Sequence, residues 1–174
     1  MDTGKQMKIF IVEDNNVFAL ALKADIKAAF IQKNVKIHTF QTGETCMDKF
    51  KELKPDVVIL DYHLNSKFTD AADGIKVLDW IKNENKEAYV IMLTGDDNID
   101  IALKSFKHGA ADYIVKSDTK LRKIIFSLFN LMKIMEAKRD AKRYKNVLIA
   151  TSLGIAVIIG VIIAFGFFSP SLLL

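Results

Sequence analysis

The stretch VVILDYHL, residues 57–64, decides the fold. Four aliphatic residues behind Lys54-Pro55-Asp56 run straight into a carboxylate, Asp61. A short apolar run of this kind reads as an interior strand of a parallel sheet, covered on both faces. Asp61 then stands at its C-terminal tip, the end at which open α/β sheets keep their chemistry.

Similar runs recur on either side. KIFIV (8–12), VKIHTF (35–40), DVVIL (56–60), AYVIML (88–93) and ADYIV (111–115) are rich in Val and Ile and predict five strands. Helical patterns separate them. Val17, Leu20, Ala21, Ala24, Ala28 and Ile31 recur at spacings of three and four and mark the apolar face of a first helix, with Lys23, Lys27 and Lys33 elsewhere on it. Further helices are expected near 43–53, 74–83, 97–108 and from 119 onward. Five βα units imply a parallel sheet with helices on both faces. The last helix carries Leu121, Ile125, Leu128, Met132 and Met135 at alternating spacings of four and three, a stripe for packing on the sheet or for a short coiled-coil seam.

A chain of 174 residues has room for one domain with a real core and a small appendage. The net charge of +4 is confined to one place. Residues 1–132 hold 19 Lys/Arg against 19 Asp/Glu, and 133–146 hold 6 against 2. The single cysteine, Cys46, allows no intramolecular disulfide and has no companions for a metal cage, which suits a reducing cytoplasm; it reads as a packing residue. MDTGKQMK at the start has no apolar stretch, hence no secretory signal.

Residues 147–168, VLIATSLGIAVIIGVIIAFGFF, carry no charge and no proline. As a helix they span roughly 33 Å, against about 30 Å for the hydrocarbon core of a bilayer. They are read as one C-terminal transmembrane helix. The basic stretch KIMEAKRDAKRYKN (133–146) is a helical stalk without glycine or proline, and its charge holds that end on the cytoplasmic side. It could also touch nucleic-acid phosphates, but it abuts the span and lacks a recognition motif, so no nucleic-acid partner is expected. Ala156, Gly160 and Ala164 form a small-residue row along which two such helices could pack as a homodimer. Only SPSLLL (169–174) follows, and nothing folded is expected beyond the membrane.

Acidic groups and hydroxyls collect at the strand tips: Glu13-Asp14 after the first strand, Asp61 at the third, Thr94-Gly95 at the fourth, Lys116-Ser117 at the fifth. Adjacent parallel strands bring these into one pocket of three carboxylates, a hydroxyl and an ammonium. Unneutralised, the carboxylates repel one another. A hard divalent cation such as Mg²⁺, with its preference for oxygen ligands, relieves that repulsion. An aspartate in such a pocket can itself be the nucleophile of phosphoryl transfer.

In these residues the chain resembles the receiver domain of bacterial two-component response regulators, over roughly residues 7–131. The resemblance implies a flavodoxin-like, doubly wound five-stranded parallel sheet of order 2-1-3-4-5, the arrangement long known for such switch-point folds. It implies Asp61 as phosphoacceptor, Asp14 as direct Mg²⁺ ligand, Glu13 as ligand through water, and the backbone carbonyl of His63 as a further ligand. Thr94 and Lys116 would grip the phosphoryl group, and Tyr113 matches the family's switch aromatic. The chain departs from the family pattern at Leu64-Asn65, where many members carry Met-Pro, and in a longer loop, YHLNSKFTDAADG, from Tyr62 to Gly74. Ser117 replaces the common proline, so a cis peptide there is less assured. His63 and Asp96 occupy positions that in the family influence attack by water.

The expected function is a membrane-anchored, single-domain response regulator, a phosphoprotein rather than a dedicated enzyme. It would take its phosphoryl group from a partner histidine kinase or phosphotransfer protein and signal by protein contact at the inner membrane. The alternative is a receiver-like membrane adaptor that is never phosphorylated. A Mg²⁺-dependent phosphatase is disfavoured because His63, not a second aspartate, stands two residues after Asp61.

Overall fold

Strands and helices alternate along the chain: β1 (Met7–Val12), α1 (Asn16–Ala29), β2 (Val35–Phe40), α2 (Gly43–Leu53), β3 (Val57–Asp61), α3 (Gly74–Glu84), β4 (Tyr89–Thr94), α4 (Ile99–Lys107), β5 (Asp112–Val115) and α5 (Lys120–Phe168). The structure, a computed structural model, describes residues 6–64, 72–95, 97–117 and 119–168, with 165–168 by backbone alone. All strand pairs are parallel, and the sheet order is β2-β1-β3-β4-β5. The predicted strands agree with the observed ones to within a residue at each end. Sheet order reverses between β1 and β3, whose registers pair Ile9 with Val57 and Val12 with Leu60. The crevice beyond their C-terminal ends is therefore the topological switch point.

Every residue of β3 is buried, as its unbroken apolar run requires. The pleat sends alternate side chains to opposite faces. One face carries Phe10, Val12, Val58, Leu60, Val90 and Met92, packed with Cys46 and Phe50 of α2 and Val77, Leu78 and Ile81 of α3. Ile9, Ile11, Ile59 and Ile91, fully buried, alternate onto the other face. Cys46 has no exposure, and burial pushes its thiol up to about 12.

The predicted face of α1 is corrected. Val17, Leu20 and Ile31 are 79%, 50% and 83% exposed, and Ala21, Ala24 and Ala28 are exposed too. The buried residues are Ala19, Leu22, Ile26 and the C-cap Phe30. Both stripes have helical period, but three of the six residues in the expected one are alanines. Leu22, Ile26 and Phe30 remove more apolar area from water, and that decides the rotation. On α5 the fully buried positions of the first turns are Ile124 and Leu128, so the predicted stripe is right at Leu128 and rotated slightly at Leu121 and Ile125, which are half-buried. The Phe30 and Phe129 rings lie 4.6 Å apart.

Each helix from α1 to α4 starts on a side-chain cap, just past a strand end for α1, α2 and α4 and after the long loop for α3. Asn15, Thr42, Asp73 and Asn98 accept from the amides of Phe18, Thr45, Lys76 and Asp100. These caps satisfy amides that a helix leaves without partners. The chain divides into two compact units, Met1–Phe129 and Asn130–Leu174. Within the second, the described side chains from 136 to 164 are exposed, and α5 is long and apolar enough there to cross a membrane.

Candidate functional site

Backbone hydrogen bonds carry Glu13, Asp61, Thr94 and Lys116 to the edge of the sheet. The amide of Glu13 donates to the Phe40 carbonyl at 2.9 Å, extending the β1–β2 ladder one residue past Val12. Asp14 follows, and Asn15 then turns the chain into α1. Asp61 ends β3, and beyond it the Tyr62 amide donates to the Leu93 carbonyl at 2.8 Å. Thr94 ends β4 opposite Val115, and the Lys116 amide donates to its carbonyl at 2.7 Å. Glu13, Asp14, Asp61 and Thr94 are all buried, at 2%, 4%, 2% and 0% exposure.

Lys116 joins the acidic groups. Its Nζ lies 2.8 Å from Glu13 Oε2 and 2.9 Å from Asp61 Oδ2. The second Asp61 oxygen, Oδ1, is buried without a hydrogen-bond partner among the described residues. Burial, reinforced by the Asp61 charge, raises the Glu13 carboxyl to about 7 against the opposing pull of Lys116. Burial alone would lower the Lys116 ammonium, but Asp61 and Glu13 outweigh it and hold its pKa above the ordinary lysine value. Glu13, Asp14 and Asp61 each offer an oxygen, all within 4.8 Å of one another. An all-oxygen donor set, buried and with an unpartnered carboxylate oxygen in it, fits Mg²⁺. Lys116 supplies one positive charge against three acidic side chains, so the fit holds on charge as well.

The start of α3 presses on the chain behind Asp61. The Gly74 amide donates to the Tyr62 carbonyl at 3.0 Å. A Cβ on Gly74 would fall 2.4 Å from the Asp61 carbonyl oxygen and 2.7 Å from Tyr62 Cα. Only glycine allows this approach.

Tyr113 sits half-buried on β5, and its hydroxyl donates a long, 3.4 Å bond to the Asn98 carbonyl at the cap of α4. His63 is exposed, with its ring edge-on to Tyr62 at 4.8 Å. The bond between Lys116 and Ser117 is trans. Asp96 and most of the long loop, 65–71, lie outside the described residues. Sequence reasoning missed Phe18, whose ring stands 4.9 Å from Lys116 Nζ and 5.7 Å from Lys120 Nζ. The only signal for it was its place one helical turn after Glu13-Asp14.

Comparison with known proteins matches residues 9–126 to the family model described as the response regulator receiver domain. Regulatory protein AtoC of Escherichia coli is 27% identical over 109 residues, covering 63% of this chain and 22% of AtoC. The "Probable C4-dicarboxylate response regulator DctR" of Bacillus subtilis is 29% identical over 143 residues, covering 82% of this chain and 55% of DctR. The chain thus spans about a fifth to about half the length of these two relatives. Among solved structures, the response regulator DrrB, an OmpR/PhoB homologue from Thermotoga maritima, superposes with a TM-score of 0.61 at 24% identity, covering 75% of this chain and 54% of DrrB.

Proposed function

The chain belongs to the response regulator receiver domain family of two-component systems, and from that membership we propose that it accepts a phosphoryl group on Asp61 from a partner histidine kinase or phosphotransfer protein. The observation that carries this reading is the state of the Asp61 carboxylate. It is buried at a strand tip, with one oxygen on the Lys116 ammonium and the other without a hydrogen-bond partner among the described residues.

Asp61 Oδ1 attacks phosphorus as the donor's phosphorus–nitrogen bond breaks, and the imidazole nitrogen leaves with that electron pair and takes up a proton. Lys116 turns from Asp61 Oδ2 to a phosphoryl oxygen, and the Thr94 hydroxyl donates to another. Asp14, Asp61, the His63 carbonyl and, through water, Glu13 would hold Mg²⁺, which when bound supplies neutralising charge to the transferring group. Tyr113 leaves the Asn98 carbonyl and turns inward as Thr94 moves, which alters the surface of α4, β5 and α5 and so changes protein contacts.

The exposed apolar length of α5 supports a single-pass anchor in the inner membrane, with the receiver on the cytoplasmic side beside the basic 133–146 stretch. Two copies pair through α5 and the Ala156, Gly160, Ala164 row. Recovery of the intact protein in the soluble fraction after lysis would refute the anchor. The experiment that tests the phosphoacceptor is intact-mass spectrometry after incubation with acetyl phosphate and Mg²⁺, with Asp61→Asn as control. One Mg²⁺-dependent phosphoryl adduct, absent from the variant, is expected. A folded protein that never labels, from acetyl phosphate or from a kinase, would instead be the unphosphorylated adaptor.

A further inference from the structure

Two ammonium groups converge on one aromatic ring at the mouth of the pocket. Phe18 lies in the first turn of α1, half-buried, with its amide donated to Asn15 Oδ1 at 3.2 Å. The turn that carries Glu13 and Asp14 therefore also fixes the backbone from which this ring projects. Lys116 Nζ is 4.9 Å from the ring centroid, and Lys120 Nζ, from the first residue of α5, is 5.7 Å from it. Both lie within the range, about 6 Å, over which a cation is drawn to an aromatic face.

We infer that Phe18 is a positioning residue for phosphoryl transfer, its ring holding the Lys116 ammonium over the Glu13–Asp61 pair; this rests on the reading of Asp61 as phosphoacceptor. A lysine ends in a compact charge on a flexible four-carbon stem, so its backbone bond to Thr94 does not by itself place the ammonium. Glu13 and Asp61 hold it ionically, but the Asp61 tether is given up when that carboxylate becomes an acyl phosphate. The ring face persists through the reaction. It attracts a cation without net negative charge, so it repels an incoming phosphoryl dianion far less than a carboxylate would, and it cannot take the lysine's proton. A third carboxylate in its place would repel the dianion strongly and could take that proton.

The test uses the full chain in detergent, with Phe18 replaced by mono-, di- and trifluorinated phenylalanine. These are near-isosteric, so folding is not at stake, and each fluorine weakens the ring's pull on a cation. Phe18→Leu, Phe18→Tyr and Phe18→Trp complete the series. The initial rate of Mg²⁺-dependent labelling by acetyl phosphate is read by mass, and the ε-methylene resonances of selectively labelled Lys116 are read by NMR. We expect the rate to fall stepwise with fluorination, roughly threefold to tenfold at trifluorophenylalanine. Leucine should be as slow, and tyrosine and tryptophan should restore the rate. The ring-shifted Lys116 resonances should move downfield in Phe18→Leu. A flat rate across the fluorinated series overturns the proposal even if leucine is slow, because packing alone would then explain leucine. Unmoved Lys116 resonances in Phe18→Leu overturn it as well. If the unmodified chain takes no phosphoryl group, it is the phosphoacceptor reading that fails, and the resonances still decide whether the ring holds Lys116.

Discussion

Replacing Gly74 by alanine should damage the protein far more than its chemistry suggests. The new Cβ would stand 2.4 Å from the Asp61 carbonyl oxygen and 2.7 Å from Tyr62 Cα, both backbone atoms that no rotamer change can move aside. Restoring ordinary contact requires the start of α3 and the end of β3 to part by about 1 Å. That separation breaks the 3.0 Å bond from the Gly74 amide to the Tyr62 carbonyl, at a net cost of about 1 kcal/mol. Overpacking adds about 1–3 kcal/mol, and the reduced freedom of the unfolded chain returns at most about 1 kcal/mol. The net loss is about 1–4 kcal/mol, or a melting temperature lower by roughly 4–16 °C for a domain of this size. Gly95→Ala is the internal control, since among the described residues a Cβ there meets nothing within 4 Å. Trp80, the only tryptophan, lies on α3 and packs against the buried cluster, so its fluorescence reports the transition in urea. Labelling at Asp61 should slow in Gly74→Ala, because the displaced backbone carries the acceptor. A Gly74→Ala midpoint matching that of Gly95→Ala, with an unchanged urea slope, would refute the steric argument.

Lys116→Met should lower acetyl phosphate labelling about 100-fold while the chain stays folded, since Glu13 can take up a proton in the absence of the ammonium; quantitative mass spectrometry checks the rate. In Mg²⁺-free solution the folded-state pKa of Glu13, raised to about 7 from 4.5, means the native form binds this proton more tightly than the unfolded chain. The stability it contributes is full below pH 4.5 and is lost as pH rises through about 7. Melts across that window should show the decline, and Glu13→Gln should flatten it. Phe50→Ala removes a ring that is 2% exposed and edge-on to Phe10 at 6.2 Å, which should cost about 3–5 kcal/mol in urea denaturation.

The residues that sequence reasoning placed well are those whose position depends on strand ends. A parallel sheet brings all its C-terminal tips to one edge, so finding the end of each apolar run was enough to assemble Glu13, Asp14, Asp61, Thr94 and Lys116. The α1 face was misread because two stripes of equal period compete on one helix, and period says nothing of size. Leu22 and Ile26 bury because they are large, while Ala21, Ala24 and Ala28 can face water at little cost. Phe18 and Gly74 were invisible for a different reason. One acts through a ring set against a lysine about a hundred residues later in the chain, and the other through a contact between two backbones. Neither leaves a local pattern.

Cys46 has a practical use. It is the chain's one thiol, without exposure and with its pKa pushed to about 12, so the native protein should be silent to maleimides and disulfide reagents. Any cysteine introduced at the surface then becomes a single-site handle for a spin label, a fluorophore or a crosslinker, with no need to remove the native one. Cys46 itself becomes a clock. Its rate of modification in the unlabelled chain measures how often the interface between α2 and the sheet opens, and comparing that rate with and without Mg²⁺ and a phosphoryl donor would follow the domain's breathing as the pocket is filled.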